Sequence, residues 1–207
     1  MSDTEGPARP GGGIRADRWA LATAGELALW AGAGVGLFFA LRLAEQALPD
    51  SLLLAALVEE AAKAALFVAV ALSGRHNGRE RAEALLRPFF AVAAFGVTEN
   101  ILYYLRYPTS AIYGRLVCSY PIHLNTALLF ALVLGSGGGG SAARRALACA
   151  AAFAGAVAYH ALFNRLSVLV PRLAPYALGP VNLVLFAALL WRQRTLCLPR
   201  STRHADG

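Results

Sequence analysis

Charge is the scarce ingredient of this 207-residue chain: 15% of its residues are Asp, Glu, Lys or Arg, whereas 57% are hydrophobic. A soluble domain averages about 25% charged residues. A shortfall of that size over the whole length excludes water as the main solvent, and soluble fold classes fall away with it. Other absences narrow the field. The three cysteines, Cys118, Cys149 and Cys197, form no CxxC and no metal-ligand spacing, so they read as reduced, unreactive residues. No HExxH occurs, no internal repeat is visible, and no alternating barrel pattern runs through the apolar stretches.

What is present is six apolar stretches: Trp19–Leu41, Leu52–Leu72, Phe89–Leu105, Leu116–Leu134, Ala146–Leu162 and Tyr176–Trp191. Crossing roughly 30 Å of hydrocarbon takes about 17–25 helical residues. The first five reach that length and the last is marginal; Leu166–Val170 either lies along the interface or extends the fifth. In lipid the backbone must satisfy its own hydrogen bonds, so these stretches are helices. The expected fold is all-α, a polytopic transmembrane bundle of about six spans. One helical domain is expected over 18–194, between a disordered cytoplasmic N-terminus, 1–17, and a cytoplasmic tail, 195–207. The first stretch is too long for the core of a cleaved signal peptide and reads as a retained span. The Gly-rich run Gly135–Ser141 reads as flexible.

Orientation follows from the basic residues. With six spans, Arg9, Arg15, Arg18, Arg75, Arg79, Arg81, Arg87, Arg144, Arg145, Arg192, Arg194, Arg200 and Arg203 fall on one side. Arg42, Arg106, Arg115, Arg165 and Arg172 fall on the other, and Lys63 lies within a span. The positive-inside rule puts both termini in the cytoplasm of a prokaryotic plasma membrane. The net charge of +7 is therefore a topology signal and a contact with anionic lipid. The loops are too short to fold a nucleic-acid face, so nucleic acid is excluded as a partner.

An ionised side chain at mid-bilayer costs about 2.5–3.5 kcal/mol even on the lenient insertion scale. Yet the second span carries Glu59, Glu60 and Lys63, and the third Glu99 and Asn100. The fourth carries His123 and Asn125, the fifth His160 and Asn164, and the sixth Asn182. At a rise of about 1.5 Å per residue, Glu59, Glu99, His123 and Asn182 all lie roughly 9–10 Å below the outer end of their spans. His160 and Asn164 lie at the outer end of theirs, so five helices offer polar groups to one layer. Glu26, toward the inner end of the first span, does not join it. Phe95 and Glu99, Glu99 and Tyr103, and His160 and Asn164 are each i,i+4 and share a helix face. Glu59 and Glu60 diverge by about 100° around their helix, so one of them faces the reaction centre and the other pairs with Lys63.

Taken singly, each group has a plainer reading. The Glu/Lys triplet makes an ion pair that fixes helix register, one histidine makes an interhelical hydrogen bond, and Asn164 and Asn182 join helices. Two carboxylate sites and two histidines at one depth exceed what packing requires.

Glu59-Glu60-Ala-Ala-Lys63 matches EExxK, Phe95-Gly-Val-Thr-Glu99 matches FxxxE, continued by Asn100 and Tyr103, His123 sits in the next span, and His160-Ala-Leu-Phe-Asn164 matches HxxxN. In this order, on successive helices, the pattern resembles the PrsW family of intramembrane proteases, relatives of the type II CAAX prenyl endopeptidases and bacteriocin-immunity-like proteins. The likeness covers about Leu52 to Asn164. It departs from the prenyl endopeptidases at Glu99, where they carry His.

The resemblance implies peptide hydrolysis on a membrane-protein or peptide substrate. Glu59, the first of the pair, would be the base that activates water. Glu99 would hold the same water or share a proton with Glu59. His160 and Asn164 would bind the oxyanion, and His123 would orient Glu99 or shuttle a proton. Glu60, the other carboxylate of the pair, stands as an alternative base, with Lys63, Phe95 and Asn100 in support. A metal reading competes, because Glu59, Glu99, His123 and His160 are acceptable ligands for Zn²⁺. The missing HExxH and the glutamate-protease relatives favour the metal-free version. A catalytically inactive immunity-like binder and a proton-coupled transporter are the alternative classes. The implied substrate is a membrane-bound regulator, such as an anti-sigma factor, cut near the outer face.

Overall fold

The computed structural model describes residues 12–47, 51–73, 84–106, 111–135, 141–170 and 174–197. Among them the backbone forms helices α1 Gly12–Glu45, α2 Leu52–Ser73, α3 Leu86–Arg106, α4 Ala111–Gly135, α5 Ala142–Leu169 and α6 Ala174–Cys197, and no strand. Each holds one of the apolar stretches, so the all-α bundle is the observed fold. Ala24–Glu45, Leu86–Arg106, Cys118–Gly135 and Ala142–Leu169 are long and apolar enough to cross a membrane. α2 has the length, 22 residues, but carries Glu59, Glu60 and Lys63. Ala177–Gln193 in α6 is a shorter apolar helix.

Boundaries differ in detail from the expectation. Leu166 to Leu169 extend α5 and are not a separate interfacial piece. α1 begins at Gly12, inside the segment 1–17 that composition reads as disordered; residues 1–11 lie outside the described residues. α6 runs on past residue 194 to Cys197, with 198–207 outside the description. Of the Gly-rich run, Gly135 closes α4 and Ser141 caps α5, while 136–140 lie outside it. Helix starts are capped locally. The Ser51 hydroxyl accepts from the Leu54 N–H at 3.3 Å, and that of Ser141 from the Arg144 N–H at 3.3 Å. Each satisfies a donor that the first turn of a helix leaves without an intrahelical partner.

The bundle has its polar groups inside and its apolar groups outside. Leu29, Leu72, Leu147 and Val184 stand open on its flanks, while Glu60, Lys63, His123, Asn125, His160 and Asn182 are buried. Water would penalise such a surface, since soluble monomers seldom expose apolar patches beyond a few hundred Å²; lipid does not. α4 is the central helix: 72% of Cys118–Gly135 is buried, against 17% of Ala24–Glu45. It packs on α2, α3, α5 and α6, whereas α1 packs broadly on α3 and only lightly on α2. The α1–α3 seam closes at Gly34, where any Cβ would collide with the carbonyl of Ala91. Small residues permit that backbone approach between membrane helices. Along the same seam Glu26 pairs with Arg87 at 2.7 Å, and the rings of Phe38 and Phe95 meet edge to face at 5.4 Å. The contacts advance together along both helices, so α1 and α3 run parallel.

Candidate active site

Two carboxylate–histidine pairs meet at one lysine. Lys63 lies one turn after Glu60 on α2, and its Nζ donates to Glu60 Oε1 at 2.6 Å. The same Nζ is 2.9 Å from Nδ1 of His123 on α4. His123 Nε2 is 2.6 Å from Glu99 Oε2 on α3. On the other side, Glu60 Oε1 also takes His160 Nδ1 of α5 at 2.8 Å. The His123 and His160 rings stand edge to face, 5.4 Å apart at 90°. Glu60 and Lys63 are completely buried, which their mutual charge and hydrogen bonds permit. Phe95 walls the cluster, with its ring 5.4 Å from that of His123 and 5.7 Å from Lys63 Nζ. Gly96 makes room beside it, because a Cβ there would press on Tyr120 and on His123 at 3.0–3.1 Å.

Glu59 and Glu60 take different environments. Glu60 points into the bundle. Glu59, a residue earlier and so about 100° around the helix, lines a cavity of about 480 Å³ between α1, α2 and α3. Glu99 lines the same cavity, with Phe38, Phe39 and Leu41 of α1 and Leu102, Tyr103 and Leu105 of α3; Arg42, Glu45 and Arg106 sit toward the helix ends. Glu59 Oε2 is buried without a hydrogen-bond partner among the described residues, and His160 Nε2 faces it at 3.9 Å. That gap is too long for a direct hydrogen bond and suits one bridging water.

Glu59, Glu60, Lys63, Phe95, Glu99, His123 and His160 are thus brought together. Two residues of the expected set are not. Asn164, one turn beyond His160, is half-buried and makes no hydrogen bond to the cluster among the described residues. Asn100 is buried but donates to the carbonyl of Gly96 in its own helix at 2.7 Å. Asn182, expected at the level of the cluster, belongs to a separate network. Its Nδ2 donates to the Cys118 carbonyl at 2.9 Å, and its Oδ1 accepts from the Tyr159 hydroxyl. Asn125 donates to that hydroxyl at 3.0 Å and to the Asn182 carbonyl at 3.1 Å. Pro121, inside α4, has no N–H and loosens the ladder in the turn that holds Cys118. The expected layer of five helices is therefore an ionisable cluster on four, α2 to α5, with α6 joined elsewhere. The sequence reading had no place for Tyr159 or for the α1 lining of the cavity. Phe38, Leu41, Arg42 and Glu45 share one face of α1 at i,i+3 and i,i+4, but nothing local to α1 says that this face lines a cavity.

The donors do not fit a metal as they stand. Among the described residues no three His, Cys, Asp or Glu side chains group closely enough to hold one. His123, expected as a possible ligand, has both ring nitrogens engaged, by Lys63 and by Glu99. Glu60 Oε1 is taken twice, and Glu99 Oε2 is held by His123. An ammonium at the hub also opposes a nearby divalent cation.

The family model for PrsW family intramembrane metalloproteases matches residues 19–191, and the chain belongs to that family. No curated protein and no solved structure matches it.

Proposed function

We propose that this chain is an intramembrane endopeptidase that hydrolyses a peptide bond of a membrane-embedded protein with Glu59 as the base. Membership of the family supports protease activity and an integral membrane location. The observation that carries the catalytic reading is the buried Glu59 Oε2, facing His160 Nε2 across 3.9 Å at the floor of the cavity. A water there would donate one hydrogen to each, leaving its oxygen lone pairs directed at an incoming carbonyl carbon. Attack forms the C–O bond and passes the water proton to Glu59. Collapse breaks the C–N bond, and Glu59 returns the proton to the leaving amine, so the carboxylate is regenerated. Glu99 borders the same water from α3, with its carboxylate held by His123.

In this proposal both termini are cytoplasmic and the host membrane is a prokaryotic plasma membrane. The cleaved bond lies within roughly 10 Å of the outer end of a span, at the depth of Glu59. By the resemblance, the substrate is a membrane-bound regulator of the anti-sigma-factor kind. The test compares membrane proteomes of cells carrying the wild-type chain or Glu59→Gln. Gln keeps the shape and removes the base, so new protein termini in the outer part of membrane spans should fall by about 10²–10⁴. Identical sets of termini, with both proteins present in the membrane, would overturn the reading.

A further inference from the structure

We infer that Lys63 is a positioning residue that sets the tautomer of His123, so that this imidazole donates to Glu99, while Glu60, the carboxylate that Lys63 pairs with, sets His160 the opposite way. The inference deepens the proposed hydrolysis and rests on it for its purpose, but not for its geometry.

The argument is one of donors and acceptors. An ammonium has three N–H donors and no acceptor. Lys63 Nζ lies 2.9 Å from His123 Nδ1, so that nitrogen must accept, and the ring proton goes to Nε2. Nε2–H then donates to Glu99 Oε2 at 2.6 Å, which requires an acceptor oxygen there. The second ammonium hydrogen goes to Glu60 Oε1 at 2.6 Å, which holds that side chain as a carboxylate. A carboxylate can only accept. His160 Nδ1, 2.8 Å from the same oxygen, must therefore carry its own proton, and in the neutral ring its Nε2 is then a lone pair facing Glu59. The buried cation thus dictates a donor at the far side of the His123 ring, and the carboxylate it pairs with favours an acceptor at the far side of the His160 ring. Both choices matter for hydrolysis. A proton on His160 Nε2 would compete with water for Glu59, and a proton on His123 Nδ1 would leave Glu99 facing a lone pair.

The site holds Lys63 in that role. It is fully buried, and Phe95 covers it with its ring centroid 5.7 Å away, so water does not take its hydrogens. An ion pair that only fixed register would need Glu60 alone. The second bond, to a histidine 60 residues away on α4, is the feature that such a role leaves unexplained.

The test is nitrogen NMR of the full chain in lipid nanodiscs, with ¹⁵N-labelled histidine and each ring assigned by single His→Gln variants. The wild type should show His123 protonated on Nε2 and His160 on Nδ1. Lys63→Met should cost His123 its single tautomer, giving exchange between both, while His160 stays protonated on Nδ1 through Glu60. Lys63→Arg, which restores donors, should return His123 to the Nε2–H form. If Lys63→Met does not fold, Glu60→Gln/Lys63→Met removes both charges together and is read at His123 in the same way. A wild-type His123 protonated on Nδ1, or a His123 tautomer indifferent to Lys63→Met or the double variant, would overturn the inference. Either result leaves the Glu59→Gln comparison untouched, and loss of that comparison leaves the tautomers as they are.

Discussion

Two polar clusters lie on either side of α4 and α5 and are made of opposite materials. Toward α2 and α3 stand three carboxylates, two histidines and an ammonium: Glu59, Glu60, Glu99, His123, His160 and Lys63. Toward α6 stand only neutral groups, the amides of Asn125 and Asn182, the Tyr159 hydroxyl and the Cys118 carbonyl. The neutral cluster ties α4, α5 and α6 with short bonds, and none of its residues lines the cavity at Glu59. Among the described residues the neutral cluster leaves the Asn125 amide oxygen without a partner, whereas the ionisable cluster leaves the carboxylate oxygens Glu59 Oε2 and Glu60 Oε2, with Glu59 beside a cavity. Holding helices together in lipid requires no charge. A cluster that accepts the cost of buried charge and still keeps two carboxylate oxygens unsatisfied among the described residues, one of them beside a cavity, is organised for something other than cohesion.

The largest expected effect breaks the ionisable side. Glu60→Ala removes the partner of both Lys63 and His160 and leaves a buried ammonium uncompensated. Such a loss costs about 3–5 kcal/mol. Denaturant titration of the purified protein in mixed micelles should show it as a large drop in the unfolding midpoint. A change under about 1 kcal/mol would mean that Lys63 finds another counterion and that the hub is not the electrostatic centre of the bundle.

A smaller effect is expected from the neutral side. Asn182→Ala removes the bond to the Cys118 carbonyl and the acceptor of the Tyr159 hydroxyl. Interhelical hydrogen bonds in membranes average about 0.6 kcal/mol and reach roughly 1.7. The same titration should therefore show a loss of about 1 kcal/mol, with cleavage per folded molecule unchanged. If cleavage falls while stability holds, the two clusters act as one site and the division between them fails.

That division marks the limit of what the sequence carries. The fold was legible because an apolar run long enough to span lipid has no alternative to a helix. Spacing along the helices put Glu60, Glu99, His123 and His160 at similar heights, and their side chains do meet. The site was less legible in azimuth. Asn125 follows His123 by two residues, a rotation of about 200°, so it turns from the ionisable cluster to the other side of α4. Tyr159 and His160 differ by about 100° and part in the same manner. Asn182 matched the layer in height, but the face it presents depends on how α6 docks on α4, which no local pattern states. The α1 wall of the cavity was hidden for another reason. Phe38, Phe39 and Leu41 are apolar residues in an apolar helix, and only the parallel packing on α3, allowed by Gly34, makes them a lining.

The smallest expected effect is none, and it tests the ionisable cluster against the metal that the family description names. A catalytic zinc site has about three protein ligands with free lone pairs and a position left for water. Here His123 gives one nitrogen to Lys63 and the other to Glu99, and Glu60 gives the same oxygen to Lys63 and His160. The Glu59 carboxylate and His160 Nε2 face each other across the gap, and among the described residues no three such side chains group closely enough to complete such a site. Recruiting His123 would require Lys63 to withdraw from a fully buried position. Metal binding would also place a divalent cation near an ammonium, at an energetic cost in low dielectric. Purified protein should accordingly contain well under one zinc per chain by elemental mass spectrometry, and its cleavage activity should persist in strong chelator. Stoichiometric zinc, with activity lost on chelation and restored by zinc alone, would overturn the carboxylate assignment. Were His123 one of its ligands, the Lys63–His123 bond would have to be absent in the metal-loaded protein, so the ¹⁵N spectrum of His123 should change on chelation in that case and stay constant if the water is activated by Glu59.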